Sequence, residues 1–309
     1  GNGRRVLKVG IIGVGNVGAA TAIALALRAR VRDVVLIDRN RARAKAVATD
    51  MHYGMALSPM VTIHEGDYDD LTGAGLAIIT AGLNEKAGGA TDRSDPAGRL
   101  RLLGANVKIF EEIVPKIVKA APGATILVAT DPPEPLAAVA RQLAGHDRVL
   151  SAGTYLDSLR FRLHLAERLG VSPGSVDANV VGEHGTSSVF LWSSARIGGM
   201  PIADLLAQQK IEIADFRKAI EQDVRYANIT IIEGIGASQY GIGMVAGRIA
   251  EVVLRDERAV FPAGSYNLHF GTTLSLPSIV GRQGVAEVLM PEMSDDEIQG
   301  LAQSAEKLT

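Results

Sequence analysis

With 309 residues, 47% of them hydrophobic and 21% charged, the chain has the balance of an ordinary globule with room for two lobes. A formal net charge of −2 gives no electrostatic footprint for nucleic acid. The absence of cysteine excludes disulfides, thiolate nucleophiles and Cys-ligated metals and suits the cytoplasm, and no apolar run approaches the ~18 residues that span a bilayer.

The chain opens GNGRRVLKVG, two arginines without the apolar core of a secretory leader. Val9–Ile12 reads as a buried strand and runs directly into Gly13-Val14-Gly15-Asn16-Val17-Gly18. An Ala/Leu-rich helical pattern follows over Ala19–Arg30, and a second apolar run, Val34–Ile37, ends in Asp38. In such a strand–turn–helix–strand unit each glycine has a mechanical role. Gly13 allows the tight turn, Gly15 lets a pyrophosphate approach the backbone, and Gly18 packs the helix on the strand. The first helical N–H groups, at Asn16 and Val17, lack partners within the helix and lie at its positive end, where a phosphate settles. Asp38, about 20 residues beyond Gly18, is placed to accept from a ribose 2′-OH and to repel a 2′-phosphate. NAD is therefore favoured over NADP, although Arg39 beside it can pair with a 2′-phosphate and weakens the preference.

Arg41–Met51 then reads as a helix and Val61–His64 as a short strand. Leu76–Thr80 (LAIIT) is a buried strand closed by Ala81-Gly82. Small residues at Thr80, Ala81 and Gly82 let a cofactor approach the backbone at a carboxyl edge. Thr125–Ala129 (TILVA) repeats the pattern and ends in Thr130-Asp131-Pro132-Pro133, with a helical stretch, Leu100–Ala120, between the two. The alternation predicts an α/β fold with a parallel, doubly wound sheet of Rossmann type. Gly82–Arg99 breaks the pattern, with four glycines and the cations Lys86, Arg93 and Arg99. A loop of that length is either a solvated excursion or a lid, and its place after a sheet strand favours the lid.

In the second half, Asp157 and Arg160 stand three apart in SAGTYLDSLRFR and share a face if the stretch is helical. As a surface ion pair they contribute only ~0.3–0.5 kcal/mol. Ser175–Val181 is a strand candidate that ends in Gly182-Glu183-His184-Gly185. A histidine between glycines at a strand end is free of crowding and can face a ligand. Asp215–Arg255 reads as one long helix, loosened at Gly234 and Gly236 and carrying Ser238. Val260–Leu289 alternates like strands around a turn at Asn267–Gly271. Ser294 to Glu297 forms a capping box that opens a terminal amphipathic helix.

Taken together, GVGNVG, LID, ITAG, GTYLDSLRFR, GEHG and ASQYGIG resemble the L-lactate/L-malate dehydrogenase family over nearly the whole chain. The resemblance implies an NAD-binding domain over residues 1–150, an α+β catalytic domain over residues 151–309, and NAD-dependent interconversion of a small L-2-hydroxy acid and its 2-oxo acid. It implies a homodimer or homotetramer as well. It makes His184 the proton donor, Asp157 its orienting carboxylate, Arg160 the clamp on the substrate carboxylate, and Arg99 a lid cation over the carbonyl. It places Ser238 beside nicotinamide and substrate, and Asn106 and Thr130 among the cofactor contacts. The chemistry agrees, since imidazole titrates near neutrality and a guanidinium grips a carboxylate with two prongs. Two departures stand out. The family has Asn-Pro where this chain has Asp131-Pro132, so a donor is replaced by a carboxylate near an anionic substrate. The lid is also about eight residues longer than in common lactate enzymes. Aligned backward from Arg99, the residue that would meet a second substrate carboxylate is Arg93. Aligned forward from Gly82 it is Glu85, which would repel one. Lactate is the leading substrate, with malate and bulkier 2-hydroxy acids behind it. A rival of another class, a non-catalytic NAD-binding sensor, predicts a broken proton-donor set, and an NAD-dependent glycosidase needs a cysteine the chain lacks.

Overall fold

The computed structural model describes residues 7–83 and 96–309. The first half alternates strand and helix: β1 (Lys8–Ile12), α1 (Asn16–Arg28), β2 (Asp33–Ile37), α2 (Arg41–Gly54), β3 (Thr62–Glu65), β4 (Leu76–Ile79), α3 (Pro96–Ala120), β5 (Thr125–Val128), α4 (Pro133–Ala144) and β6 (Val149–Ser151). These strands are parallel and lie in the order β6-β5-β4-β1-β2-β3. The chain departs from β1 in one direction and returns to β4 on its other side. The loops diverge between those two strands, and the crevice there is where such sheets hold ligands.

The strands are apolar on both sides because both sides are covered. In β2, Val34 and Leu36 join the core that contains Leu25 of α1, whereas Val35 and Ile37 join the core that contains Phe110, Val114 and Ile117 of α3. The two-residue period thus feeds two layers at once. Fully burying side chains of this size stabilises by about 1.5–3 kcal/mol each.

The second half begins with α5 (Tyr155–Leu169) and continues through the short strands β7 (Val176–Asp177), β8 (Val180–Val181), β9 (Val189–Phe190), β10 (Arg196–Ile197) and β11 (Met200–Pro201). Helices α6 (Ile202–Gln208), α7 (Ile213–Ile235) and α8 (Tyr240–Leu254) follow, then β12 (Ala259–Asn267), β13 (Thr272–Gly281), β14 (Gly284–Val288) and α9 (Asp295–Leu308). Helix α8 lies on α1 through small residues, and its Val245, Ile249 and Val253 complete the first core. Residue Ser294 accepts from Glu297 N (3.3 Å) and Glu297 Oε1 accepts from Ser294 N (3.0 Å), so the expected capping box opens α9.

The first-half strands form the expected parallel sheet, but three details differ. The second half adds to that sheet, because β12 pairs antiparallel with β6 through Gly264 and Ser151, and β13 and β14 extend it. Among the described residues it has nine strands. The long helix over Asp215–Arg255 is two helices, interrupted from Gly236 to Gln239. The apolar run Ser175–Val181 divides into β7 and β8, which pair with β10 and β9 in separate small sheets.

Candidate active site

The crevice above β1 and β4 opens into a cleft of about 1030 Å³ lined from both halves of the chain. At its nucleotide end, Gly13 leaves β1 at φ +102°, and a Cβ there would stand 2.4 Å from the Ala81 backbone. A Cβ on Gly18 would come 2.1 Å from Gly13 O, so α1 meets the turn as closely as the motif requires. Gly15 differs: a Cβ on it meets nothing within 4 Å, because it faces the cleft with Asn16 and Val17. Gly15 is also the N-cap of α1. No side chain caps the helix there, and its first turn carries no acid. Those N–H groups therefore remain available to an anion.

Asp38 at the tip of β2 accepts from Val14 N (2.6 Å) and Asn40 N (2.8 Å), which fixes its carboxylate beside the turn. Arg39 is exposed, and it is Arg43 of α2 that reaches the cleft, donating from Nε to Val14 O (2.5 Å). Thr80 and Gly82 line the cleft, and the Thr80 hydroxyl donates to Gly13 O (2.6 Å). Thr130 also lines it and donates to Ala81 O (2.7 Å). Asn106 does something other than face the cleft. It is fully buried, its amide donates to Asp131 O (2.8 Å) and Leu83 O (3.2 Å), and its Oδ1 accepts from Leu83 N (2.8 Å). It braces the loops after β4 and β5. The open Gly15, the uncapped α1 and the fixed Asp38 together fit a dinucleotide.

At the other end of the cleft, α5 presents Asp157 and Arg160, and the loop after β8 presents His184. That loop is pinned. Gly182 exchanges backbone hydrogen bonds with Ser275 of β13 (2.8 and 2.9 Å), and Glu183 N donates to Ser304 Oγ of α9 (2.8 Å). The His184 N–H donates to Glu134 Oε1 (3.1 Å). The imidazole Nδ1–H donates to Asp157 Oδ2 (2.7 Å), which aims Nε2 at the cleft, 3.8 Å from Asp131 Oδ1. Arg160 Nη1 lies 4.0 Å from Asp157 Oδ1. The Asp157 carboxylate, more than any other group, drives the His184 pKa up, with Asp131 and Glu134 adding to it; burial opposes them, and the result is about 10.

Ser238 sits in the break between α7 and α8 and lines the same cleft as Asp157 and His184. Arg93 and Glu85, and with them the choice between the two lid alignments, lie outside the described residues, as does Lys86. Arg99 belongs to the first turn of α3, but its side chain is outside the description as well.

Sequence reasoning missed Glu134. Its side chain is fully buried behind His184, with Oε1 accepting also from Ser275 Oγ (3.1 Å) and Oε2 without a partner among the described residues. Burial pushes its pKa up to about 7 against the pull of His184. In the sequence it is merely an acid in the first turn after two prolines, an ordinary helix start. Arg43 was hidden in the same way, within a run that reads simply as a helix.

Comparison with known proteins agrees with this geometry. The family model for the lactate/malate dehydrogenase NAD binding domain matches residues 7–150, and that for the lactate/malate dehydrogenase alpha/beta C-terminal domain matches residues 154–309. The chain is 42% identical to the L-lactate dehydrogenase of Deinococcus radiodurans, over 97% of this chain and 96% of that one. It is 42% identical to the L-lactate dehydrogenase of Thermus aquaticus, over 98% and 97%. The crystal structure of MGS-M5, a lactate dehydrogenase from a Medee basin deep-sea metagenome library, superposes with a TM-score of 0.88 at 32% identity, covering 97% of this chain and 96% of that chain. The chain therefore belongs to the lactate/malate dehydrogenase family. It is an NAD-dependent dehydrogenase of 2-hydroxy acids.

Proposed function

We propose that this dehydrogenase interconverts L-lactate and pyruvate, with His184 as the proton donor in reduction and the proton acceptor in oxidation. The observation that carries the reading is the Nδ1···Oδ2 contact of 2.7 Å between His184 and Asp157, which leaves Nε2 to the cleft that Arg160 also lines. Every relative named above is a lactate dehydrogenase.

The N–H groups of α1 and the carboxylate of Asp38 hold the pyrophosphate and the adenosine ribose. Bound NADH supplies the hydride. Asp157 fixes the imidazole tautomer and favours its protonated form, so Nε2–H is ready for the carbonyl oxygen of pyruvate. Arg160 pairs with the substrate carboxylate through its planar guanidinium. Arg99, on the family resemblance, is brought over the carbonyl to stabilise the developing alkoxide. Asp131 and Ser238 complete the wall around the substrate. The boundary between the nucleotide half and the substrate half is proposed at residue 150.

The enzyme is proposed to act as a homodimer or homotetramer. Leu159 and Leu163 of α5, Tyr240 and Met244 of α8 and Leu27 of α1 are large, apolar and exposed, as at surfaces that meet another chain. A cytoplasmic site is proposed from the absence of cysteine. Among the described residues no helix is long and apolar enough to cross a membrane.

The deciding assay measures turnover of pyruvate, oxaloacetate and a branched 2-oxo acid with NADH and with NADPH. Pyruvate with NADH is expected to give the highest kcat/KM. Preference for oxaloacetate that disappears in Arg93→Gln would move the assignment to malate. Binding of NADH without turnover of any of the three would refute catalysis.

A further inference from the structure

Three carboxylates surround His184 in this site. Asp157 of α5 holds Nδ1, Glu134 of α4 lies behind the ring on the His184 backbone, and Asp131 faces Nε2 from the loop between β5 and α4. Among the described residues, the other charged groups lining the cleft are Arg43 of α2, Arg160 of α5, and Glu221 and Arg225 of α7. Glu183, next to His184, is paired with Lys307 of α9 (3.3 Å). Asp157 has an orienting role and Glu134 is turned away from the cleft. Asp131 is the carboxylate on the side where the substrate must come.

Its backbone is held, because Asp131 O accepts from the buried Asn106 (2.8 Å). Its carboxylate is not: the side chain is 39% exposed, and the 3.8 Å to Nε2 is longer than a hydrogen bond. Among the described residues no lysine or arginine pairs with it within 4.0 Å. An ionised carboxylate only accepts hydrogen bonds, and so does the carbonyl of a 2-oxo acid. Nε2 carries a single proton, so the two acceptors cannot both take it.

We infer that Asp131 competes with the substrate carbonyl for the proton-donating edge of His184 and thereby sets the pH range in which each direction of the reaction runs. This rests on the reading of His184 as proton donor and acceptor. An ionised Asp131 keeps the proton on His184 to more alkaline pH, which extends reduction upward and delays oxidation, since oxidation needs the neutral ring. It also places a negative charge beside the site of an anionic substrate, which weakens pyruvate binding. The residue is thus a determinant of direction and affinity.

The test is Asp131→Asn, which keeps the size, removes the charge and supplies an N–H that can donate to the carbonyl. Three shifts are expected. The alkaline limb of kcat/KM for pyruvate reduction moves down by about one pH unit, a tenfold change in proton affinity. The acid limb of lactate oxidation moves down with it, and KM for pyruvate falls severalfold at pH 7. A structural role alone would lower both activities without moving either limb. The direct readout is the titration of His184 by nitrogen NMR in the NADH-bound enzyme, its signal identified by its loss in His184→Asn. Asp131→Ser, checked for NADH binding, serves as the second variant. If His184 titrates at the same pH in wild type and in both variants, the inference is overturned even though lactate turnover persists. If wild type turns over no 2-oxo acid, the dehydrogenase reading fails, while the NMR shift still decides whether Asp131 acts on the imidazole.

Discussion

Replacing Asp157 with asparagine removes the charge nearest the reactive imidazole while keeping an oxygen that can accept from Nδ1–H. At 2.7 Å the attraction between carboxylate and imidazolium lies between about 1.5 kcal/mol, fully screened, and about 6 kcal/mol at the effective dielectric of a protein surface. That range is roughly one to four pH units of proton affinity. His184 stands near the upper part of it, raised from 6.5 to about 10 with Asp157 as the first cause. Without that charge, burial lowers the ring back toward or below its ordinary value. The protonated fraction at pH 8 then falls by about two orders of magnitude, and kcat/KM for pyruvate reduction falls with it. The assay is the pH profile of pyruvate reduction in wild type and Asp157→Asn between pH 5 and 10, with NADH binding measured alongside. The variant should approach wild-type activity at the acid end and lose it steeply above neutrality. A uniform loss at every pH would refute the electrostatic account and leave Asp157 as a positioning group only.

Glu134 and His184 both have folded pKa values above their ordinary ones. Each therefore stabilises the fold fully below its unfolded value, and the contribution is lost as pH rises through the folded value. The ligand-free enzyme should lose Tm between about pH 4.5 and 7 through Glu134, and further between about pH 6.5 and 10 through His184. Glu134→Gln should flatten the first interval, and an unchanged slope there in differential calorimetry would exclude Glu134 as its source. Arg160→Gln is expected to lower kcat/KM for pyruvate by about two orders of magnitude or more, as expected when a buried charge-assisted pair is lost. NADH affinity should stay the same, so a parallel loss of NADH binding would argue against a substrate-only clamp. Gly18→Ala places a Cβ 2.1 Å from Gly13 O. Overpacking of that kind costs about 1–3 kcal/mol, and both a lower Tm and weaker NADH binding should follow. A wild-type melting curve would show that the turn relaxes freely.

The nucleotide half was legible because its signals are local. Gly13, Gly15, Gly18 and Asp38 each act within one strand–turn–helix–strand unit, and the geometry of that unit follows from spacing alone. The substrate half was legible mainly through its resemblance to a known family. Asp157 and His184 are 27 residues apart, and only the packing of α5 against β8 brings them together. Periodicity could not show that Ser175–Val181 feeds two sheets, because the strand partners β9 and β10 lie further along the chain. The antiparallel strands β12 to β14 were recognisable as strands, but their attachment to β6 depends on one contact between distant segments. Glu134 carried no signal at all. A buried carboxylate and a solvated helix-start acid have the same sequence appearance, and only the surrounding β13 and the His184 loop separate them. Asn106 shows the converse: a side chain assigned to the cofactor is wholly engaged in holding the loops that flank it.

Catalysis in this cleft depends most directly on His184 moving the proton, and one comparison tests that role. Pyruvate reduction by wild type and by His184→Asn is followed under saturating NADH, with NADH affinity measured separately. Loss of turnover by about 10²–10⁴-fold at nearly unchanged NADH affinity is predicted for a general acid. Turnover within a few-fold of wild type would contradict the account, however well the fold and the dinucleotide cradle agree with it.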